Sequence, residues 1–149
     1  MRIVLDTSVI AKFFLTEKDA DYAQHLLRAI GQGKLEVHTS DLIWFELSNV
    51  LVKYCPCSDI ALHNMNVFQR MVDRGFIIVH PSTAELRKIA IEIAFTDTKS
   101  QGNVSLYDAT FHALALHLDV MLITSDLRHI QKTEKIVGNV VELRSLNIR

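Results

Sequence analysis

Two prolines and five glycines in 149 residues leave no room for a long flexible linker. At 16.9 kDa the chain is the size of one domain, and residues 1–149 are read as one. Two cysteines are too few for a disulfide framework, and Cys55-Pro56-Cys57 lacks the C-x-x-C spacing of a structural zinc site. Tight spacing around a proline disfavours a mutual bridge, so the pair reads as reduced thiols in a loop. No apolar run approaches the roughly 18 residues that a membrane span needs. Asp6 and Lys12 interrupt what a signal peptide would require as an apolar core. The expectation is a soluble, cytoplasmic protein with no membrane partner.

A surplus of one charge sign is also missing. The formal net charge is −1, so no global basic field advertises a nucleic-acid partner. A local patch remains, from Leu127 onward, where Arg128, Lys132, Lys135, Arg144 and Arg149 outnumber Glu134 and Glu142. Such stretches are usually solvated faces.

What the chain does have is alternation. Apolar runs at Arg2–Asp6, Leu35–Thr39, Phe76–His80 and Val120–Thr124 read as buried strands, with Asn139–Leu143 a fifth. Helical patterns lie between them at Asp19–Ile30, Asp41–Tyr54, Asp59–Arg74, Thr83–Phe95 and Ser105–Leu118. The second of these is apolar nearly all round, which predicts a well-buried helix. Near-continuous apolar strands need a sheet covered on both faces. The expected fold is α/β, a three-layer α/β/α sandwich with a mostly parallel central sheet. Ligands in such folds bind beyond the carboxyl ends of the strands.

Four acids bear on that edge, and each has an ordinary explanation. Asp6 ends the first strand, and Asp126 follows Thr124 and Ser125 after the fourth; either can simply cap a helix. Glu46 borders the apolar stripe of its helix near Asn49 and Lys53, where a narrow solvated strip would serve. Asp108 stands three residues after Ser105, the spacing of a capping box. His112, one turn on, shares the face of Asp108 and could support it at a site or form a local ion pair with it, the ion pair being the simpler reading. Convergence is the alternative. Carboxylates about 5 Å apart repel by roughly 3 kcal/mol per pair at an effective dielectric near 20. A cluster would protonate, strain the fold or demand a cation. Oxygen ligands without cysteine favour Mg²⁺ or Mn²⁺ over zinc, and the hydroxyls of Ser8, Thr124 and Ser125 suit the water around such an ion.

Four pieces in order, IVLDTSVI, SDLIWFELSNVL, SLYDATFHALA and LITSDLRH, resemble the PIN domain. Within that family the chain resembles the compact VapC-type toxins of toxin–antitoxin pairs. The resemblance spans most of the chain and implies a metal-dependent endoribonuclease that hydrolyses RNA phosphodiester bonds. It places the family's acidic quartet on Asp6, Glu46, Asp108 and Asp126, as catalytic residues and as ligands of Mg²⁺ or Mn²⁺. It places the supporting hydroxyls on Ser8 and Thr124. It also implies products with a 5′-phosphate and a 3′-hydroxyl, a cognate antitoxin and a homodimer through the helices at Asp41–Tyr54 and Asp59–Arg74. RNA would approach along Arg128 and Lys132. After Asp126, where many relatives carry a further acid, this chain reads LRHIQK, which argues against a second tightly held metal. Asp97, in the polar loop before SLYDA, reads as a solvated turn residue. Two rivals stand beside this reading. A receiver-like phosphoacceptor would want an aspartate where the third strand ends in His80-Pro81-Ser82, and a non-catalytic PIN-like domain would bind RNA or protein without turnover.

Overall fold

The computed structural model describes residues 1–148. Five strands form one sheet: β1 (Arg2–Leu5), β2 (Glu36–Ser40), β3 (Ile77–His80), β4 (Met121–Thr124) and β5 (Val140–Glu142). Their spatial order is β3-β2-β1-β4-β5, and all four pairings are parallel. The helices are α1 (Thr7–Ile10), α2 (Ala20–Gly31), α3 (Ile43–Tyr54), α4 (Ser58–Asp73), α5 (Ala84–Ala94), α6 (Leu106–Leu118) and α7 (Leu127–Thr133).

The chain steps outward from β1 to β3 and then returns across the sheet to β4. Right-handed crossovers put α2, α3 and α4 on one face and α5, α6 and α7 on the other. Helix α6 packs on β1, β2 and β4, and its buried Ala109, Phe111, Ala113, Leu114 and Ala115 explain why. Between β1 and β4 the connections diverge, which opens a crevice at the carboxyl edge of the sheet. Asp6 follows the first of these strands and Asp126 the second. The phosphoacceptor reading finds no acid at β3, which is an edge strand ending in His80.

The structure departs from the sequence reading in three places. Helix α3 is half-exposed: Ile43, Leu47 and Leu51 are buried, whereas Phe45, Val52 and Tyr54 are 80, 76 and 60 % exposed. It lies on the outside of the sheet layer, so only one stripe has a partner to pack against. Helices α1 and α7 carry no expectation from the apolar periodicity. Both are too short to show a period, and each starts from an aspartate cap, Asp6 and Asp126. The third departure concerns His112. It makes no ion pair with Asp108; its Nδ1 is 2.8 Å from His129 Nε2 and its Nε2 donates to the Gly138 carbonyl at 2.6 Å. That buried pair ties α6 to α7. Both cysteines are free, at the α3–α4 junction. No helix among the described residues is long and apolar enough to cross a membrane.

Candidate active site

Asp6 leaves β1 as the N-cap of α1, where Val9 N–H donates to Oδ1 at 3.2 Å. The Ser8 hydroxyl donates to the same oxygen at 2.6 Å, and the Thr124 hydroxyl, from the end of β4, donates to Oδ2. Those two hydroxyls reach onward. Ser125 N–H donates to Ser8 Oγ at 2.9 Å, and Asp126 N–H donates to Thr124 Oγ1 at 3.0 Å. The ends of β1 and β4 are therefore stapled through one carboxylate. Three donors ordinarily pull a carboxyl pKa down. Asp6 is only 9 % exposed, and burial outweighs them: its pKa is raised to about 6, with a small further push from Asp108.

Asp126 caps α7 with one oxygen, accepting from Arg128 N–H at 3.0 Å and His129 N–H at 3.1 Å. Glu46 comes from α3, and the Thr7 hydroxyl donates to its Oε1 at 2.7 Å. Asp108 enters from the first turn of α6. Ser105 caps that helix by accepting from Tyr107 N–H at 3.1 Å and Asp108 N–H at 3.3 Å. The Asp108 carboxylate accepts no hydrogen bond from the described residues and is free to face the crevice. Its pKa is raised to about 6, first by burial and then by the charges of Asp126 and Glu46, with Lys132 opposing. Asp108 thus begins a helix with its backbone and faces two other acids with its side chain.

Three of the acids, Glu46, Asp108 and Asp126, line an open cleft of about 490 Å³ together with Ser8, Asn49 and Ser125, while Asp6 and Thr124 are buried and outside its lining. The donor set is hard oxygen throughout, the kind that suits Mg²⁺ or Mn²⁺. The Ser125 hydroxyl is buried without a hydrogen-bond partner among the described residues, an unmet polar group in the cleft wall. Among the described residues no three acidic, histidine or cysteine side chains close into a cage of direct ligands. A small divalent cation fits such a site by keeping part of its water shell, as Mg²⁺ does.

A family model of the PIN domain matches residues 3–135. The chain belongs to the PIN-domain family. Solved structures share its fold. The sarcin-ricin loop cleaving toxin VapC20 of Mycobacterium tuberculosis is 21 % identical with a TM-score of 0.63, over 82 % of this chain and 86 % of that one. FitAcB from Neisseria gonorrhoeae is 15 % identical with a TM-score of 0.68, over 97 % and 99 %. VapBC2 from Rickettsia felis, bound to a DNA fragment from its promoter, is 14 % identical with a TM-score of 0.66, over 95 % and 97 %. A comparison with curated proteins finds no match.

Within this PIN domain, Asp6, Glu46, Asp108 and Asp126 interact across four separate segments, and Ser8 and Thr124 both serve Asp6. Arg128 is exposed on α7, away from the cleft wall. Lys132, one turn on, donates from Nζ to the Asn103 carbonyl at 2.8 Å and lends its charge to Asp108. The polar loop 96–103 therefore has a structural tie to α7. Asp97 takes up the expected turn role, accepting from Lys99 N–H at 3.0 Å. Sequence reasoning missed two residues. Thr7 orients Glu46; its position beside Ser8 was the available signal, since adjacent residues on a helical turn point apart. Lys12 is 8 % exposed, forms part of the cleft wall and donates to the Lys18 carbonyl at 2.8 Å. Nothing in its local pattern distinguishes it from a surface lysine.

Proposed function

We propose that this PIN domain is a divalent-metal-dependent endoribonuclease and the toxin member of a toxin–antitoxin pair. One observation carries the reading: Asp108 has no hydrogen-bond donor among the described residues, and burial first, then the facing charges of Asp126 and Glu46, raise its pKa to about 6. Such mutual repulsion is relieved by a cation, and structural caps have no need of it. When bound, Mg²⁺ or Mn²⁺ lowers the pKa of water and offsets negative charge gathering on a phosphate. Asp6, Asp108 and Glu46 would hold the ion directly or through water, with Asp126 completing the acidic set. Ser8 and Thr124 keep Asp6 in one rotamer, and Thr7 does the same for Glu46. Pre-set side chains lose little freedom when substrate arrives. Lys12 in the cleft wall and Lys132 beside Asp108 would meet flanking phosphates, Lys132 by exchanging its carbonyl partner, and Arg128 would meet the strand only beyond the cleft.

The relatives' descriptions support the toxin reading: one is a cleaving toxin, and others are complexes of the VapBC kind. By that analogy the partner is a small antitoxin. A homodimer through α3 and α4 would cover Val52, Tyr54, Ile60 and Leu62, all exposed in the single chain. Cytoplasmic action on RNA follows from the same reading.

The test is cleavage of a mixed RNA pool in Mg²⁺ or Mn²⁺ by purified protein, with EDTA and Asp108→Asn controls. The expected outcome is metal-dependent cleavage, lowered more than about 100-fold by the substitution with the fold intact. Cleavage by Asp108→Asn at the wild-type rate would remove Asp108 from the site. Folded, antitoxin-free protein that cleaves nothing would leave a binding domain as the better reading.

A further inference from the structure

Lysine is rarely buried unless its charge is paired, because taking an ammonium out of water is costly. Lys12 is 8 % exposed, yet it sits in the wall of the acidic cleft, where it is the only cation of the lining among the described residues. Two groups meet its Nζ. The Lys18 carbonyl accepts at 2.8 Å, and Glu17 Oε1 stands at 3.5 Å. The first is a well-formed hydrogen bond. The second is long for a charge-assisted contact, which ordinarily spans about 2.7–2.9 Å. The two ends of this ion pair are also unequal, since the side chain of Glu17 is 43 % exposed against 9 % for Lys12. Glu17 can swing into water, and Lys12 cannot follow it. Glu17 itself lines the cleft, so the pair closes inside the space that a ligand would fill. The turn that carries Glu17 has its own anchors. Ala20 N–H donates to the Glu17 carbonyl at 3.1 Å, and Asp19 pairs with Arg144 at 2.7 Å. The carboxylate can let go without the turn unfolding.

We infer that the Glu17 carboxylate is an internal stand-in for a substrate phosphate on Lys12, and that an RNA strand entering the cleft displaces it. This rests on the nuclease reading and adds to it an autoinhibitory contact and a second phosphate position. With the contact closed, the lining carries Glu17, Glu46, Asp108 and Asp126 against Lys12 alone, and an approaching strand meets net repulsion. A phosphate that reaches Lys12 meets the Glu17 charge beside it, and two anions so placed repel. The exposed carboxylate is the one that can leave. Lys12 lies one turn beyond Ser8 where α1 runs into the 3-10 turn Ala11–Phe13, about 6–8 Å along the axis. Ser8 holds Asp6, and the cation that bears on Asp108 is Lys132. Lys12 therefore serves a phosphate flanking the reacting one, a short step along the strand. The occupant is a phosphate rather than a protein carboxylate because Lys12 shares one cleft with the acids that would hold the metal of the reaction.

The test measures binding without cleavage. Full-length protein in Ca²⁺ is titrated with a fluorescent RNA oligonucleotide, as wild type, Glu17→Gln, Lys12→Met, Lys12→Arg and the Glu17→Gln/Lys12→Met double variant, after thermal melts confirm that each is folded. Glu17→Gln is expected to bind about 2- to 5-fold more tightly than wild type. Lys12→Met should bind about 10-fold more weakly, with a salt slope of log K flatter by about 0.7, and Lys12→Arg should keep the affinity. In the Lys12→Met background Glu17→Gln should add nothing, because the contact it opens is gone. The RNA is then scanned with one uncharged methylphosphonate at a time. A position beside the bond cut in Mn²⁺ should cost the wild type affinity, leave Lys12→Met unaffected and erase the Glu17→Gln gain. That last comparison stands even if Lys12→Met does not fold. An RNA affinity unchanged by Glu17→Gln overturns the proposal and leaves Glu17 a structural partner of Lys12. A gain that persists in the double variant, or with every neutralised RNA, also overturns it, since general repulsion would then be the cause. A wild type that neither binds nor cleaves RNA overturns both this contact and the nuclease reading. Cleavage in Mn²⁺ without a Glu17→Gln gain overturns the contact alone, and the gain without any cleavage supports the contact while overturning the nuclease.

Discussion

At the scale of single residues, the site depends on desolvation outweighing hydrogen bonds. Asp6 has three donors and still ionises near pH 6, because almost none of its surface reaches water. A folded-state pKa above the unfolded value means that the native protein holds a proton which the unfolded chain releases. The stabilising contribution is complete below about pH 4 and is lost as pH rises through 6. Across that window, without metal, the cost is about 3 kcal/mol. Asp6→Asn keeps the capping shape and removes the charge. In EDTA the variant should gain stability relative to wild type as pH moves from 4 to 7.5, as read by thermal unfolding. A difference that stays constant with pH would show that Asp6 is hydrated when folded.

At the scale of elements, α6 and α7 are coupled on the same face of the sheet. The coupling is the buried contact of His112 with His129, at 2.8 Å, with the Gly138 carbonyl holding the far nitrogen of His112. Burial lowers both pKa values, and the charge of His112 takes His129 down further, to about 4. Here the sign is opposite to that of Asp6. The unfolded chain binds the proton first, so this contribution is intact above about pH 6.5 and fades as pH falls towards 4, by up to about 3 kcal/mol. An imidazole titration followed by NMR should place the His129 midpoint well below 6; a midpoint near 6.5 would mean that the α6–α7 contact is open to water. Asp108 begins one of these helices and Asp126 caps the other, so acid-induced loosening of the pair would also separate two members of the site.

At the scale of the whole molecule, folding assembles a concentration of negative charge that the near-neutral composition conceals. The crevice between β1 and β4 gathers acids from four segments, and their repulsion opposes the fold until something offsets it. Divalent metal should therefore raise the melting temperature. At a metal concentration about 100 times its Kd the linkage is about 2.7 kcal/mol, or several degrees for a chain of this size. Asp108→Asn should lose most of that response while melting no lower than wild type in EDTA. Equal Mg²⁺ responses in the two proteins would place the ion elsewhere. Apparent metal affinity should also strengthen as pH rises through 6, since Asp6 and Asp108 must both release protons to bind it.

Alternation of apolar strands with helical patterns was enough to specify a parallel sheet covered on both faces, because strand burial on two sides leaves a mark at every position. The five strands lie within a residue or so of where those runs place them. The acids Asp6, Glu46, Asp108 and Asp126 were legible as candidates through their motifs, yet each has a local role that fits equally well. Only the tertiary structure brings them together, since β1 and β4 become neighbours through a crossover that no local pattern records. The same limit hid Lys12 and the pairing of Thr7 with Glu46, both of which depend on what packs opposite α1 and its continuation. It also explains α3 and His112. An apolar helix is buried only as far as a partner covers it, and a histidine pairs with the nearest buried group in space, here His129 rather than the aspartate one turn away.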